Sequence, residues 1–144
     1  IKMGRVWVGA GCCGRAERLL ELSVDWAANR KQFGQPIGKF QGTSFKLADM
    51  ATDVAAARNI TLHAASVEDA GGLAVAEASM AKIFASQTAE RVASKAVQIH
   101  GNYGYLRDHS VEKYYRDARV LSIYEGTNDI QRIIIGRQLS DKIE

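Results

Sequence analysis

The chain is short of almost everything that would force a fold other than a helical one. It has a single proline, Pro36, and two cysteines, Cys12 and Cys13, which are adjacent and so cannot easily bridge one another. No disulfide framework is therefore available, and a reducing compartment is the expected setting. β-Branched runs are few and short, which disfavours extended strands. No apolar run approaches the roughly 20 residues a membrane-spanning helix needs. Charge of one sign is also lacking: 19 Lys and Arg stand against 16 Asp and Glu, a net +3 spread along the chain. That describes a solvated surface and not a nucleic-acid stripe, although eleven arginines would suit a small phosphate-bearing ligand. The start carries no basic, apolar and small-residue leader pattern, and Ile1 in place of methionine is consistent with a piece of something longer.

What is present is 144 residues, one domain's worth, 47% apolar and 24% charged, enough to bury one core. Alanine, the strongest helix former, occurs 21 times, and glycine punctuates the chain. From Lys2 to Lys31 the positions Cys12/Cys13, Ala16, Leu19/Leu20, Val24 and Ala27 recur every three or four residues, until Gly34-Gln35-Pro36-Ile37-Gly38 stops them. Leu47/Ala48, Ala51, Val54/Ala55, Leu62 and Ala65 repeat the pattern up to Gly71-Gly72. Ala74, Ala78, Ala81, Phe84/Ala85, Thr88, Val92 and Ile99 repeat it again up to Gly101. Three helices of about 28 residues, each roughly 40 Å long, are predicted. Ser110 is expected to cap a short helix over 111–119, and Asn128-Asp129 a final one from Ile130 to about Leu139. Short links between long helices make neighbours antiparallel. The expected fold is thus all-α: an antiparallel up-and-down four-helix bundle with one short extra helix.

Several familiar signals fail on context. Gly9-Ala10-Gly11-Cys12-Cys13-Gly14 fits GxGxxG, but helices follow it and no second parallel strand completes a βαβ unit. Close approach of a neighbouring helix explains its small residues better. His63, His100 and His109 lack metal-ligand spacing, so no metal site is expected. The serines have no nucleophile-elbow context.

Three polar clusters stand at helix ends instead: Arg30-Lys31-Gln32-Phe33-Gly34 with Phe40-Gln41, Gln98-Ile99-His100-Gly101-Asn102-Tyr103-Gly104, and Tyr124-Glu125-Gly126-Thr127-Asn128-Asp129-Ile130-Gln131-Arg132. An arginine and amides near free backbone N–H groups suit a pyrophosphate. A carboxylate beside a glycine at a bundle mouth suits a general base. Capping and turn formation account for each cluster equally well on physical grounds alone.

With these three motifs in this order, the chain resembles the C-terminal helical domain of the acyl-CoA dehydrogenase family over its whole length, 1–144. The resemblance implies an FAD-dependent enzyme that α,β-dehydrogenates acyl-CoA thioesters, with Glu125 as the base that removes the α-proton and Gly126 as a substrate-contacting backbone position. It implies that Arg30, Gln32, Phe33, Phe40, Gln41, Gln98, Gly101 and Asn102 hold the adenosine diphosphate part of an FAD bound mainly by a neighbouring subunit. Thr127 and Asp129 match flavin contacts within the same subunit, and Arg5 and Arg137 match positions around the CoA moiety. Lys2 departs from an acidic CoA contact of some members. Gly4 stands where the isovaleryl and long-chain branches carry an alternative catalytic glutamate, so this chain resembles the branch whose base lies in Tyr-Glu-Gly-Thr. The family's N-terminal helical domain and middle β-domain, which supplies most of the flavin-ring pocket, have no counterpart here. The implied partners are the acyl-CoA substrate, an electron-transfer flavoprotein as acceptor and further copies of the chain, as a dimer of dimers. Nucleic acid is not among them. The implied location is the cytoplasm of a bacterium or the mitochondrial matrix of a eukaryote. The competing readings are an acyl-CoA oxidase-like flavoenzyme and a non-catalytic helical binding or oligomerisation domain.

Overall fold

The computed structural model describes residues 2–140; Ile1, the Lys2 side chain and residues 141–144 lie outside that description. Three long helices and two shorter ones carry the fold: α1 (Lys2–Asn29), α2 (Gln41–Asp69), α3 (Val75–His100), α4 (Val111–Ala118) and α5 (Asn128–Ser140). The all-α bundle expected from the alanine periodicity is the observed one. Among the described residues the only sheet is a ribbon of two-residue strands, β1 (Lys31–Gln32) and β2 (Gln35–Pro36), antiparallel with Gln32 opposite Gln35. Its two turn residues, Phe33 and Gly34, have φ of 53° and 80°, as a type I′ hairpin requires. No helix among the described residues is long and apolar enough to cross a membrane.

α3 is the central element and packs against all four other helices. Its sequence explains why. Ala76, Ala78, Ala81, Ala85, Ala89, Ala93 and Ala96 are all buried, and all but Ala76 share one broad arc of about 120° around the helix. Side chains this small let neighbouring helices approach that face of α3 closely. The larger apolar volume comes from those neighbours, including Leu19 of α1, Met50 of α2 and Leu121 of the turn after α4. Each such side chain contributes about 1.5–3 kcal/mol on burial. Surface ion pairs add little, up to about 1 kcal/mol each: Arg58–Glu17 at 2.8 Å joins α2 to α1, and Lys95–Asp49 at 2.8 Å joins α3 to α2.

The GxGxxG stretch lies inside α1 and not at a strand end. A Cβ on Gly9 would stand 3.2 Å from Thr61 Oγ1 on α2 and 3.7 Å from the Ala81 backbone on α3, so this glycine marks where three helices meet. Close helix approach is its role. Two expected caps are corrected. Ser110 holds the cap position of α4, but its side chain makes no capping hydrogen bond. α5 begins two residues earlier than expected and is capped by Thr127, whose Oγ1 accepts from Ile130 N at 3.3 Å; Asn128 and Asp129 are already helical.

Candidate functional site

The predicted site residues fall into two groups at opposite ends of α1. The first is the turn that leads into α5. Glu125 and Gly126 are both left-handed, with φ of 54° and 86°. A left-handed glutamate costs roughly 1–2 kcal/mol, so something must hold it there. Gln131, on the second turn of α5 and 0% exposed, does part of this: its Nε2 donates to the Glu125 carbonyl at 3.3 Å and the Gly126 carbonyl at 3.1 Å. The second support is below. Asn128 is buried, its Oδ1 accepting from Lys82 Nζ at 2.9 Å and its Nδ2 donating to Ser86 Oγ at 3.0 Å, both on α3.

The turn presents the Glu125 carboxyl to the start of α1. A Cβ on Gly4 would lie 2.7 Å from Glu125 Oε2, so the carboxyl fills the space that any larger residue at position 4 would claim. Around it is an open pocket of about 280 Å³, bounded by Gly4, Trp7, Gly11, Arg15 and Tyr124. Trp7 is largely exposed beside it and forms an apolar wall of the pocket. Thr127 adjoins the turn, and because its oxygen accepts from the helix, its O–H remains to donate elsewhere. Asp129 is exposed and pairs with Arg132 at 2.8 Å.

Arg5 and Arg137 are not gathered into this pocket. Arg5 is buried toward α3, with Nη1 donating to Ser79 Oγ at 3.4 Å and Nε without a partner among the described residues. Arg137 is exposed near the far end of α5, about 12 Å along the helix from Asp129.

The second group lies where α1 ends, about 38 Å from Gly4 along the helix axis. Arg30, Gln32, Gly101 and Asn102 line one pocket of about 280 Å³. Its floor is aromatic. Trp26 stacks on His100 with ring centroids 5.0 Å apart, Tyr103 and His109 pack against Trp26 at 5.2 and 5.5 Å, and the Arg30 guanidinium lies 5.2 Å from the Tyr103 ring centre. His100 is held by its Nδ1–H, which donates to the Ala96 carbonyl at 2.8 Å, and burial pushes its pKa below the ordinary 6.5. Beside the pocket, Phe33 meets Phe40 edge to face at 6.0 Å and is otherwise 92% exposed on its left-handed turn. Gln41 and Gln98 are exposed at the adjoining helix ends and do not line this pocket.

A larger open pocket of about 510 Å³ lies between α3 and α4, lined by Glu90, Arg91, Tyr115, Arg116 and Arg119. Its arginines are already engaged, by Asp53, Glu112 and Glu90 respectively, so its charge is spoken for. Among the described residues no three His, Cys, Asp or Glu side chains gather to hold a metal ion.

Residues 1–140 match the family model described as acyl-CoA dehydrogenase, C-terminal domain. The chain belongs to the acyl-CoA dehydrogenase family. It is 52% identical over 139 residues to an acyl-CoA dehydrogenase of Bacillus subtilis, covering 96% of this chain and 37% of that protein. It is 45% identical to the 3-(aryl)acrylate reductase of Clostridium sporogenes, again over 96% of this chain and 37% of the relative. Among solved structures, butyryl-CoA dehydrogenase from Megasphaera elsdenii superposes with a TM-score of 0.95 at 43% identity, covering 96% of this chain and 36% of that one. The chain thus spans little more than a third of the length of these family members.

Sequence reasoning placed Asn128 and Gln131 in the third polar cluster without their role in holding the Glu125 turn, and missed Lys82 and Ser86 altogether. It also missed the aromatic floor under Arg30. The one available signal for the former was the interruption of an alanine row by Lys82 and Ser86, four residues apart on α3.

Proposed function

We propose that this chain is the C-terminal part of an FAD-dependent enzyme that α,β-dehydrogenates acyl-CoA thioesters, with Glu125 as the base. The observation that carries this reading is the placing of the Glu125 carboxyl against Gly4, on a strained turn that costs energy to maintain. A merely solvated acid would gain nothing from that strain. Glu125 takes the proton from the carbon next to the thioester carbonyl, and the electron pair left behind forms the Cα=Cβ bond as the β-hydrogen departs as hydride. Bound FAD would accept that hydride. Gly126, with no side chain, lets the thioester oxygen approach its backbone N–H, which stabilises the charge that develops there. Glu125 is exposed within this chain, so other segments would supply the shielding from water that proton abstraction from carbon needs.

The Arg30 pocket suits the diphosphate of the same type of cofactor. Its guanidinium is oriented by the Tyr103 ring, while Gln32 and Asn102 supply amides. The two groups stand at opposite ends of α1. The family resemblance implies that Thr127 and Asp129 would serve one flavin and Arg30, Gln32, Phe33, Phe40, Gln41, Gln98, Gly101 and Asn102 the adenosine end of another held mainly by a neighbouring subunit, in a homo-oligomer that is a dimer of dimers. Arg5, whose Nε–H has no partner among the described residues, and Arg137 would lend positive charge to the CoA side. An electron-transfer flavoprotein is the acceptor we favour, since a relative 44% identical is named a caffeyl-CoA reductase-Etf complex subunit. The expected location is the bacterial cytoplasm or the mitochondrial matrix. An oxidase reading is favoured by one match, a solved prolyl acyl carrier protein oxidase at 38% identity. Transfer of electrons from the reduced flavin to oxygen and not to the flavoprotein would select it.

The decisive variant is Glu125→Gln in the full-length protein, which keeps the shape and removes the basicity. Flavin reduction by acyl-CoA should be abolished with FAD and ligand binding retained. Reduction at a rate near the parent's would remove Glu125 as the base.

A further inference from the structure

Lys82 is 0% exposed in the first third of α3, where a methionine or leucine would fill the same volume without burying an ammonium group. Such a group is costly to keep away from water unless a specific partner requires it. Its partner is the Asn128 side chain, with Nζ donating to Oδ1 at 2.9 Å. The other end of that amide is also taken, because Nδ2 donates to Ser86 Oγ at 3.0 Å, one helical turn along α3. Both ends of the Asn128 amide are thus fixed to one helix, and Asn128 is the first residue of α5. Three residues before it is Glu125. Three residues after it is Gln131, which holds the Glu125 and Gly126 carbonyls. Burial pushes the Lys82 pKa down, opposed by the neighbouring Cys12 and Glu90.

We propose that Lys82 is a positioning residue for the α-proton base: by clamping Asn128 it fixes the first turn of α5 on α3, and with it the left-handed turn that sets the Glu125 carboxyl over Gly4. The geometry is a lever with one anchored end. If the Asn128 anchor is released, the start of α5 is free to shift, and Gln131 carries the two carbonyls of the turn with it. The carboxyl then moves relative to Gly4 although no residue that touches substrate has changed. The inference rests on the Glu125 assignment above.

The test is Lys82→Met in the full-length flavoprotein. We expect kcat for flavin reduction to fall at least tenfold with KM for acyl-CoA within twofold of the parent and flavin content unchanged. Backbone amide exchange should accelerate in residues 124–131 while α1, α2 and α3 keep their protection. Should the single variant not fold, Lys82→Met combined with Asn128→Leu replaces both partners by apolar groups, so that neither is left buried and unpaired; the same kcat loss and local exchange are expected. A kcat within twofold of the parent, or exchange that rises evenly along all the helices, overturns the proposal. The exchange pattern is read without turnover. Active Glu125→Gln defeats the base assignment whatever Lys82 does, whereas an unchanged exchange pattern in the Lys82 variant defeats the clamp whatever Glu125 does.

Discussion

Replacing Gly126 by alanine tests the account of the Glu125 turn most directly. Position 126 has φ of 86°, and forcing an L-residue into that region costs about 1–2 kcal/mol. The new Cβ would stand 2.7 Å from Gln131 Nε2, too close for both to remain. Gln131 is completely buried and its Oε1 already lacks a partner among the described residues. The two hydrogen bonds to the Glu125 and Gly126 carbonyls are lost, at about 1 kcal/mol each. The reduced entropy of the unfolded chain offsets about 0.4–1 kcal/mol. The net expectation is a destabilisation of about 2–3.5 kcal/mol, with a slower flavin-reduction step. Gly14→Ala is the internal control, since it lies within α1 and its Cβ would meet open space. That variant should gain roughly 0.5–1 kcal/mol. Denaturant unfolding of both variants, followed by helical circular dichroism, reads the two values. A Gly126→Ala loss below about 0.5 kcal/mol, or effects of the same sign in both variants, would refute the reasoning.

Arg30→Ala should weaken FAD retention by about 1.5–3 kcal/mol, roughly 10- to 150-fold in Kd, through loss of a charge-assisted phosphate contact; flavin content unchanged after dialysis counts against the pocket. His100 predicts a pH dependence of stability. Its folded pKa lies below 6.5, so the unfolded chain takes up the proton first, and stability falls as pH drops from about 6.5 toward the folded value and is flat above. His100→Phe keeps a ring against Trp26 and should flatten the melting temperature across that window; an unaltered slope assigns the effect to another group.

The three long helices were legible to within two residues because alanine periodicity and glycine breaks are local signals, and α1, α2 and α3 obey them. The start of α5 was not. Thr127, Asn128 and Asp129 are all competent caps, and which one serves depends on a left-handed turn at Glu125 and Gly126 that only tertiary contacts sustain. The burial of Lys82 and Gln131 was not legible for a related reason: residues of these types are mostly exposed, and their burial depends on partners 46 and 6 residues away in the chain. The aromatic floor under Arg30 draws Trp26 from α1, His100 from the end of α3, and Tyr103 and His109 from the segment that follows. No single window contains it. The roles given to Glu125 and Arg30 came from resemblance to a family, and the geometry adds why those residues are held where they are.

α1 links the two functional ends, and its length matters separately from its composition. One residue inserted between Gly14 and Trp26 would rotate everything beyond it by about 100° and push it about 1.5 Å along the axis. Trp26 and Arg30 would then turn away from His100 and Tyr103, or Gly4 would turn away from Glu125. Four inserted residues nearly restore the rotation but lengthen the helix by about 6 Å, and no insertion restores both quantities. The helix is in this sense a gauge of fixed spacing and fixed phase. Substitutions along it are judged one side chain at a time, whereas a single-codon deletion would be felt at both ends of the molecule at once.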